Sequence, residues 1–439
     1  MILNNLSGGN KYEEELATWG RFPNDILEEI LSRLPVRVLV QFSSVSKPWL
    51  SLISNPWFAK VHYNRATTNE GRTAIIITAY DKVKRKLHFL SVPRHNSGPA
   101  THILTLDHTQ ITSNEMEIMQ AQHLNGLILF NSENGFVENN FAFVINPSTR
   151  KLFKLPESTI VSSSSYGKKE EVHHICYFFG FNESTNEHKV LKIRMLDIVS
   201  INPRQPIKKL CIKSVNHVKP TIEIMIFCMS SLSWRKIDAN LPFNVSGNHW
   251  YLGTKHSVCV NSVIYVMIEH LNQILAFDLR TEDKFLMINL PSDAIIDEKW
   301  YSKEGMNIVT SDLPFLMKIN GLLGLICLNR VANHNELDIW ILQDDYKNPV
   351  WVREAVTYSD SWFLLDGPFL VNRVIWKQRR ESKERFPGDV IRVPLYDMET
   401  RSMKHVEYLL GHQLLSSSTI RFDHVRSYVE SLSPLKSSR

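Results

Sequence analysis

The chain has few cysteines, and none at a spacing that would give them chemistry. Cys176, Cys211, Cys228, Cys259 and Cys327 are odd in number and far apart, so neither a disulfide framework nor a C-x-x-C metal or redox site is set up. They read as free thiols of a reducing compartment. No apolar run approaches the ~18 residues of a membrane-spanning helix. The opening stretch MILNNLSGGNKYEEEL lacks the basic head and apolar run of a secretory signal. The expectation is an intracellular protein, in the cytoplasm and/or nucleus, with no membrane partner. The sequons at Asn5, Asn182 and Asn244 are then chance matches. Neither sign of charge dominates. Fifty Lys and Arg stand against 45 Asp and Glu, a net +5 with pI near 8.8, which is too even to make nucleic acid a partner. Phosphate-loop, dinucleotide, zinc-protease and nucleophile-elbow signatures are all missing. In His173-His174-x-Cys176 only His174 and Cys176 share a strand face, short of the three or four ligands zinc needs. The pairs Glu187-His188 and Glu269-His270 have no third member. No catalytic residue, metal or cofactor is expected.

What is present begins with residues 22–60, FPNDILEEILSRLPVRVLVQFSSVSKPWLSLISNPWFAK. On a helical wheel Ile26, Ile30, Leu34, Leu27 and Leu31 fall at about 0°, 40°, 80°, 100° and 140°. Glu28, Ser32, Glu29 and Arg33 fall between about 200° and 340°. The two arcs do not overlap, so the spacing predicts an amphipathic helix ending at Leu34-Pro35. Pro35 opens a second helix through Val36, Val38, Leu39 and Phe42. Ser46 caps a third with Lys47, Pro48, Trp49, Leu52 and Ile53, and Asn55-Pro56 opens a short fourth piece. So few short helices cannot enclose this much apolar surface alone. The remainder must be covered by the rest of the chain or by a partner.

The same residues resemble the F-box, a motif that reads roughly as Leu-Pro, a helix of the type xDLLxEILxRLP, and a Val-x-Lys-x-Trp-x-x-Leu-Ile segment. Here these are Phe22-Pro23, Asp25 to Pro35, and Val45 to Ile53. Phe22 replaces the usual Leu, and Ser43-Ser44 and Ser46 stand where Arg-Cys and Cys are common. None of these puts a charge on the apolar face. The resemblance implies docking on the Skp-type adaptor of a cullin-RING ubiquitin ligase. The residues implied in docking are Phe22, Pro23, Ile26, Leu27, Ile30, Leu31, Leu34, Pro35, Leu39, Val45, Lys47, Trp49 and Leu52.

After a polar connector at 66–71 the pattern changes to short β-rich runs separated by turn residues. Six segments repeat an apolar strand, a polar turn and a strand with a large apolar anchor. They are AYDKVKRKLHFLSVP from Ala79, FVINPSTRKLFKLP from Phe143, IFCMSSLSWRKIDANLP from Ile226, AFDLRTEDKFLMINLP from Ala276, ILQDDYKNPVWVREA from Ile341 and LYDMETRSMKHVEY from Leu395. The anchors are Leu87, Phe153, Trp234, Phe285, Trp351 and Met403. Sheets recurring at this interval, with insertions, predict a β-propeller of six to eight blades. These segments also resemble the F-box-associated interaction domain of plant F-box proteins, a kelch- or propeller-like domain. Leu124-Asn125-Gly126-Leu127-Ile128 before Asn146-Pro147-Ser148-Thr149-Arg150 carries that resemblance, with Phe179-Gly180-Phe181-Asn182 and Asp338-Ile339-Trp340 following in the family's order.

The expected organisation is therefore a flexible tail at 1–17, a small all-α F-box module at 18–65, an all-β propeller-like domain at 72–425 and a flexible tail at 426–439. Residues 162–171 read as a polar loop. Residues 377–385, KQRRESKER, read as a solvated basic loop, with an acidic partner surface or nucleic acid as the alternatives it could grip. The function implied is a non-catalytic substrate receptor of an SCF-type (Skp-cullin-F-box) ligase, with an unknown protein target bound by the β-domain. The alternatives are a propeller acting as a binding protein outside the ligase, or a propeller-fold hydrolase.

Overall fold

The computed structural model describes residues 24–81, 83–94, 97–107, 119–132, 141–158, 170–199, 221–243, 257–268, 271–294, 314–329, 336–343, 346–357, 369–370, 373–375, 390–397, 402–409 and 420–435. The expected tail at 1–17, the basic stretch 377–385 and most of the polar loop 162–171 lie outside these residues.

Among the described residues four α-helices come first. Helix α1 (Asn24–Leu31) ends as Ser32 Oγ donates back to the Glu29 carbonyl. Pro35, extended at φ −60° and ψ 149°, opens α2 (Val36–Phe42). Ser46 Oγ accepts from the Trp49 N–H to start α3 (Lys47–Ile53), with Pro48 in the first turn, where a missing N–H costs least. Asn55 Oδ1 accepts from the Trp57 N–H, 2.8 Å away, to start α4 (Pro56–Thr68). This last helix is longer than expected and takes in part of the 66–71 connector. Phe58, Ala59, His62 and Ala66 lie on one buried stripe, and packing on that side carries the helix past Arg65.

Six sheets follow. The first contains β1 (Thr73–Asp81), β2 (Lys86–Pro93) and β4 (Thr101–Asp107), while the short β3 (Gly98–Pro99) belongs elsewhere. The second is β5 (Met119–Leu124), β6 (Leu127–Ser132), β7 (Ala142–Asn146) and β8 (Lys151–Lys154). The third is β9 (Glu170–Asn182), β10 (Glu187–Val199), β11 (Thr221–Cys228) and β12 (Ser233–Lys236). The fourth is β13 (Ser257–Val260), β14 (Val263–Ile268), β15 (Gln273–Asp278) and β16 (Phe285–Asn289). The fifth is β17 (Phe315–Ile319), β18 (Leu322–Asn329), β19 (Glu336–Leu342) and β20 (Trp351–Thr357). The sixth joins β21 (Phe369–Leu370), β22 (Arg373–Ile375), β23 (Val390–Asp397) and β24 (Ser402–Leu409) to β3, which pairs in parallel. The final strand, β25 (Ile420–Val429), returns to the first sheet beside β1.

The first five sheets are buried against their neighbours in the chain. Phe89 of the first sheet meets Phe130 of the second edge-on at 5.8 Å. Leu129 and Val144 of the second share a core with Tyr177 and Phe227 of the third. Phe178 and Leu191 share another with Ile264 and Phe277 of the fourth, and Val263 and Tyr265 a further one with Leu325 and Trp340 of the fifth. In the sixth sheet, β21 lies against both β17 and β25. The sheets thus form a closed series, a β-propeller. The six repeated segments fall on the hairpins β1–β2, β7–β8, β11–β12, β15–β16, β19–β20 and β23–β24. Among the anchors Leu87, Phe153 and Phe285 are buried. Trp234 and Trp351 instead reach outside their own sheets, donating from Nε1 to the Pro156 and Asn289 carbonyls.

Two expectations need correction. Regular blades of four antiparallel strands number five among the described residues, fewer than the six to eight predicted. The sixth sheet departs from that form because β21 and β22 are only two and three residues long and a parallel β3 is added at its edge. Nor is 426–439 a tail throughout. β25 runs to Val429, and Ser431, Leu432 and Leu435 beyond it are buried. Asn146 Nδ2 holds that segment by donating to the Ser431 and Ser433 carbonyls at 2.9 and 3.0 Å.

Asn-Gly turns close two of the hairpins. Asn125-Gly126 and Asn320-Gly321 have φ of 49° and 77°, and 49° and 83°, the left-handed pair that a two-residue hairpin turn requires. The two glycines differ in surroundings. A Cβ on Gly126 would meet Ser431 Cβ at 2.5 Å and the Val429 carbonyl at 2.7 Å, whereas one on Gly321 meets nothing within 4 Å. Gly321→Ala is expected to cost about 1 kcal/mol, the backbone penalty alone. Gly126→Ala should cost roughly 2–4 kcal/mol, because the C-terminal segment must also shift. Urea midpoints of the two variants check the difference, and equal midpoints would contradict it.

Candidate docking surface

The helical module has a core of its own. Leu31, Val36, Leu39, Ile53, Phe58 and Ala59 are buried together, and Leu432 from the end of the chain joins them. Leu27, Leu34, Trp49 and Leu52 are half-buried against this cluster, with Phe42 and Trp49 edge-to-face at 5.1 Å. The expected docking set is thereby divided. Leu31 and Leu39 are buried inside the module. Ile26, Ile30 and Val45 face outward, at 45%, 51% and 64% exposure. Pro35 and Lys47 are exposed as well, and Phe22 and Pro23 lie outside the described residues. Three exposed apolar side chains were not foreseen: Val40, Leu50 and Trp57, the last 62% exposed.

On α1 the division follows the helical wheel. Ile26 and Ile30 occupy one end of the apolar arc and are exposed, Leu27 is intermediate, and Leu31 at the other end is buried. Outside this face the helix carries ion pairs. Glu29 accepts from Arg33 and Arg65 at 2.6 Å each, and hydrogen bonds from these two guanidiniums hold its carboxyl below the usual carboxylate range. Exposed pairs of this kind contribute little stability.

Charged and polar groups fasten the module to the propeller. Glu430, just after β25, accepts the otherwise free N–H of Val36 at the start of α2, at 2.9 Å. Arg72, just before β1, donates to the carbonyls of Ser32 and Leu34 at 3.0 and 3.2 Å. These carbonyls belong to the turn between α1 and α2, which has no helical partners for them. His62 Nε2 lies 2.8 Å from the Leu34 carbonyl and 2.7 Å from Arg72 Nη2. Burial, and then the Arg72 charge, oppose protonation of this imidazole and pull its pKa down to about 4.

On the propeller, burial pushes the thiols of Cys176 and Cys327 up to about 12 and that of Cys259 to about 11, so none is a thiolate at neutral pH. Among the described residues no three His, Cys, Asp or Glu side chains are grouped as metal ligands would be. No helix among them is long and apolar enough to cross a membrane.

Comparison with known families matches residues 19–60 to the F-box domain and residues 75–425 to the F-box associated beta propeller domain. The chain belongs to this family of F-box proteins. F-box protein At1g30790 of Arabidopsis thaliana is 27% identical over 346 residues, covering 76% of this chain and 74% of its own. F-box protein At4g19940, from the same plant, is 23% identical over 395 residues, covering 88% and 85%. A chain of the nidogen/laminin complex crystal structure covers 82% of this chain and 99% of its own, at 6% identity and a TM-score of 0.35, too low to bear on the fold. The F-box match stops within α4 and the propeller match within β25. Arg72, Glu430 and Leu432, all outside both matches, are the residues that reach the F-box module at the junction, through Ser32, Leu34, Val36 and the module's core.

The His62 imidazole makes this junction sensitive to acid. Its folded pKa of about 4 lies below the unfolded value of 6.5, so between these values the unfolded chain binds more protons. The stabilisation is complete above pH 6.5 and is lost as pH falls toward 4. Urea denaturation at a series of pH values should show stability falling over this window for the native chain, and falling less for His62→Gln. Parallel profiles would refute the assignment.

Proposed function

We propose that this F-box protein is the substrate-recognition subunit of an SCF-type ubiquitin ligase. The F-box docks on the Skp-type adaptor, and the propeller binds a protein target. The chain brings the target lysine near a charged ubiquitin-conjugating enzyme, and proximity is its contribution, without a catalytic residue of its own. The observation that supports this reading best is the outward apolar end of α1. Ile26 and Ile30 stay exposed although the F-box already has a closed core completed by Leu432. Apolar side chains left outside a finished core suit burial by a partner. A cytoplasmic and/or nuclear location fits the reading, because ligase parts and reduced thiols occur there together.

The double variant Ile26→Asp/Ile30→Asp separates docking from folding. Its thermal midpoint should stay close to that of the native chain, since both positions are on the surface. Retention of a recombinant Skp-type adaptor on the immobilised chain should fall by about tenfold or more, the scale of losing central contacts at an interface. Leu39→Ala acts as the folding control, with an expected loss of about 2–5 kcal/mol from a buried leucine. Undiminished adaptor retention by a stably folded Asp variant would sink the docking reading.

A further inference from the structure

Strand register places Tyr177, Lys192, Met225 and Lys236 in one row across the third sheet. Residues paired in this way share a face. Along β10 that face also carries Val190 and Arg194. Val190 lies in the apolar layer between the second and third sheets, whereas Arg194 bonds the Glu223 carboxylate at 3.2 Å. Lys192 stands between them at 5% exposure. Its ammonium lies 5.6 Å from the Tyr177 ring and 5.5 Å from the Trp234 ring. Among the described residues it makes one hydrogen bond, donating to Ser158 Oγ at 3.0 Å. No carboxylate among the described residues is within ion-pair distance of it, since Glu223 serves Arg194 and Glu157 is exposed at the rim. Burial and the Arg194 charge lower its pKa to about 8, so it remains mostly cationic at neutral pH.

A depression of about 400 Å³ opens between the segment following β8 and the face of the third sheet, and Lys192 lies buried behind its lining residues Ser158, Met225, Trp234 and Lys236 rather than in that lining. Pro156, Glu157 and Ser158 form one side, and Met225, Trp234 and Lys236 the other. Trp234 is held in place as its Nε1 donates to the Pro156 carbonyl at 2.7 Å. An ammonium has three donors, and among the described residues Lys192 uses one of them, on Ser158. A cation in such a site gains most from an incoming anion, because the surroundings screen the attraction poorly.

We propose that this pocket receives a single carboxylate, an aspartate or glutamate side chain in a peptide segment of the target. Lys192 and Ser158 hydrogen-bond its oxygens, Lys236 adds a second positive charge, and the methylenes of the acidic side chain lie along Trp234 and Met225. Glu157 at the rim disfavours a more highly charged group such as a phosphate. The proposal rests on reading the propeller as the target-binding part and names the chemistry it selects.

The test uses the full chain and synthetic peptides. Lysines are acetylated with an N-hydroxysuccinimide ester at pH 8 and quantified by mass spectrometry, with the exposed Lys84 as reference. Acetyl-hexaglutamate amide should slow modification of Lys192 by about threefold, and weaken by about tenfold in calorimetric binding to Lys192→Met. That variant places an apolar side chain in a buried site and should fold at least as stably as the native chain. Hexaglutamine should protect nothing. Absence of protection, or equal hexaglutamate binding by Lys192→Met, overturns the proposal. Stronger protection by a phosphoserine peptide than by hexaglutamate overturns the choice of carboxylate. Adaptor retention by the same samples reports separately on the receptor reading, because α1 and this pocket share no residue.

Discussion

The pairing of β25 with β1 is the constraint on which the remaining architecture depends. Nine positions are in register from Thr73 opposite Val429 to Asp81 opposite Ile420, with an irregularity at Thr78/Ala79. Joining strands so distant in sequence costs about 5 kcal/mol in loop-closure entropy, which must be offset by the contacts it creates. Those contacts are extensive. Without β25, the edge of β1 would be open to pairing with another chain. The segment beyond β25 then fills the space over Gly126, accepts both hydrogen bonds of Asn146 and places Leu432 in the F-box core. One C-terminal segment thus ties the first sheet, the second sheet and the helical module together.

This arrangement changes how the F-box itself is understood. A short helical module with excess apolar surface can be completed from within the chain or from outside, and here one part of that surface is completed from within the chain while another part stays exposed. Leu31 and Leu39 are covered by the module and Leu432, while Ile26 and Ile30 are left exposed. The module also does not hang from a linker. Arg72 and Glu430 bond the backbone around the α1–α2 turn from either side of the ring closure.

The interior of the propeller holds its titratable groups in contrasting ways. Asp278 and Asp338 have arginines, Arg280 and Arg353, in bidentate contact. Lys189 has Glu282 of the next sheet at 2.8 Å. Against that pattern Lys192 is distinct, since it has two aromatic rings and the Ser158 hydroxyl beside it and, among the described residues, no carboxylate within ion-pair distance. Satisfied pairs rigidify neighbouring sheets, whereas a buried cation without such a pair keeps more of its charge uncompensated.

The residue pattern by itself determined the two-part organisation, the helix caps at Ser46 and Asn55, the hairpins with their polar turns and the membership in a β-propeller class. These are local properties, set by side-chain periodicity of two or 3.6 residues and by the few residue types that tolerate turn angles. Only the tertiary structure decided which half of the α1 arc is core, because a wheel shows one apolar arc and not what covers it. It alone decided that 426–435 closes the ring, since Arg421 to Leu435 reads as polar with scattered apolar residues and gains its meaning from partners some 280 or more positions away, at Asn146 and Gly126. The irregular sixth sheet, with its borrowed parallel β3, was likewise beyond a repeat count, because strand exchange between sheets depends on three-dimensional proximity and leaves no period in the chain.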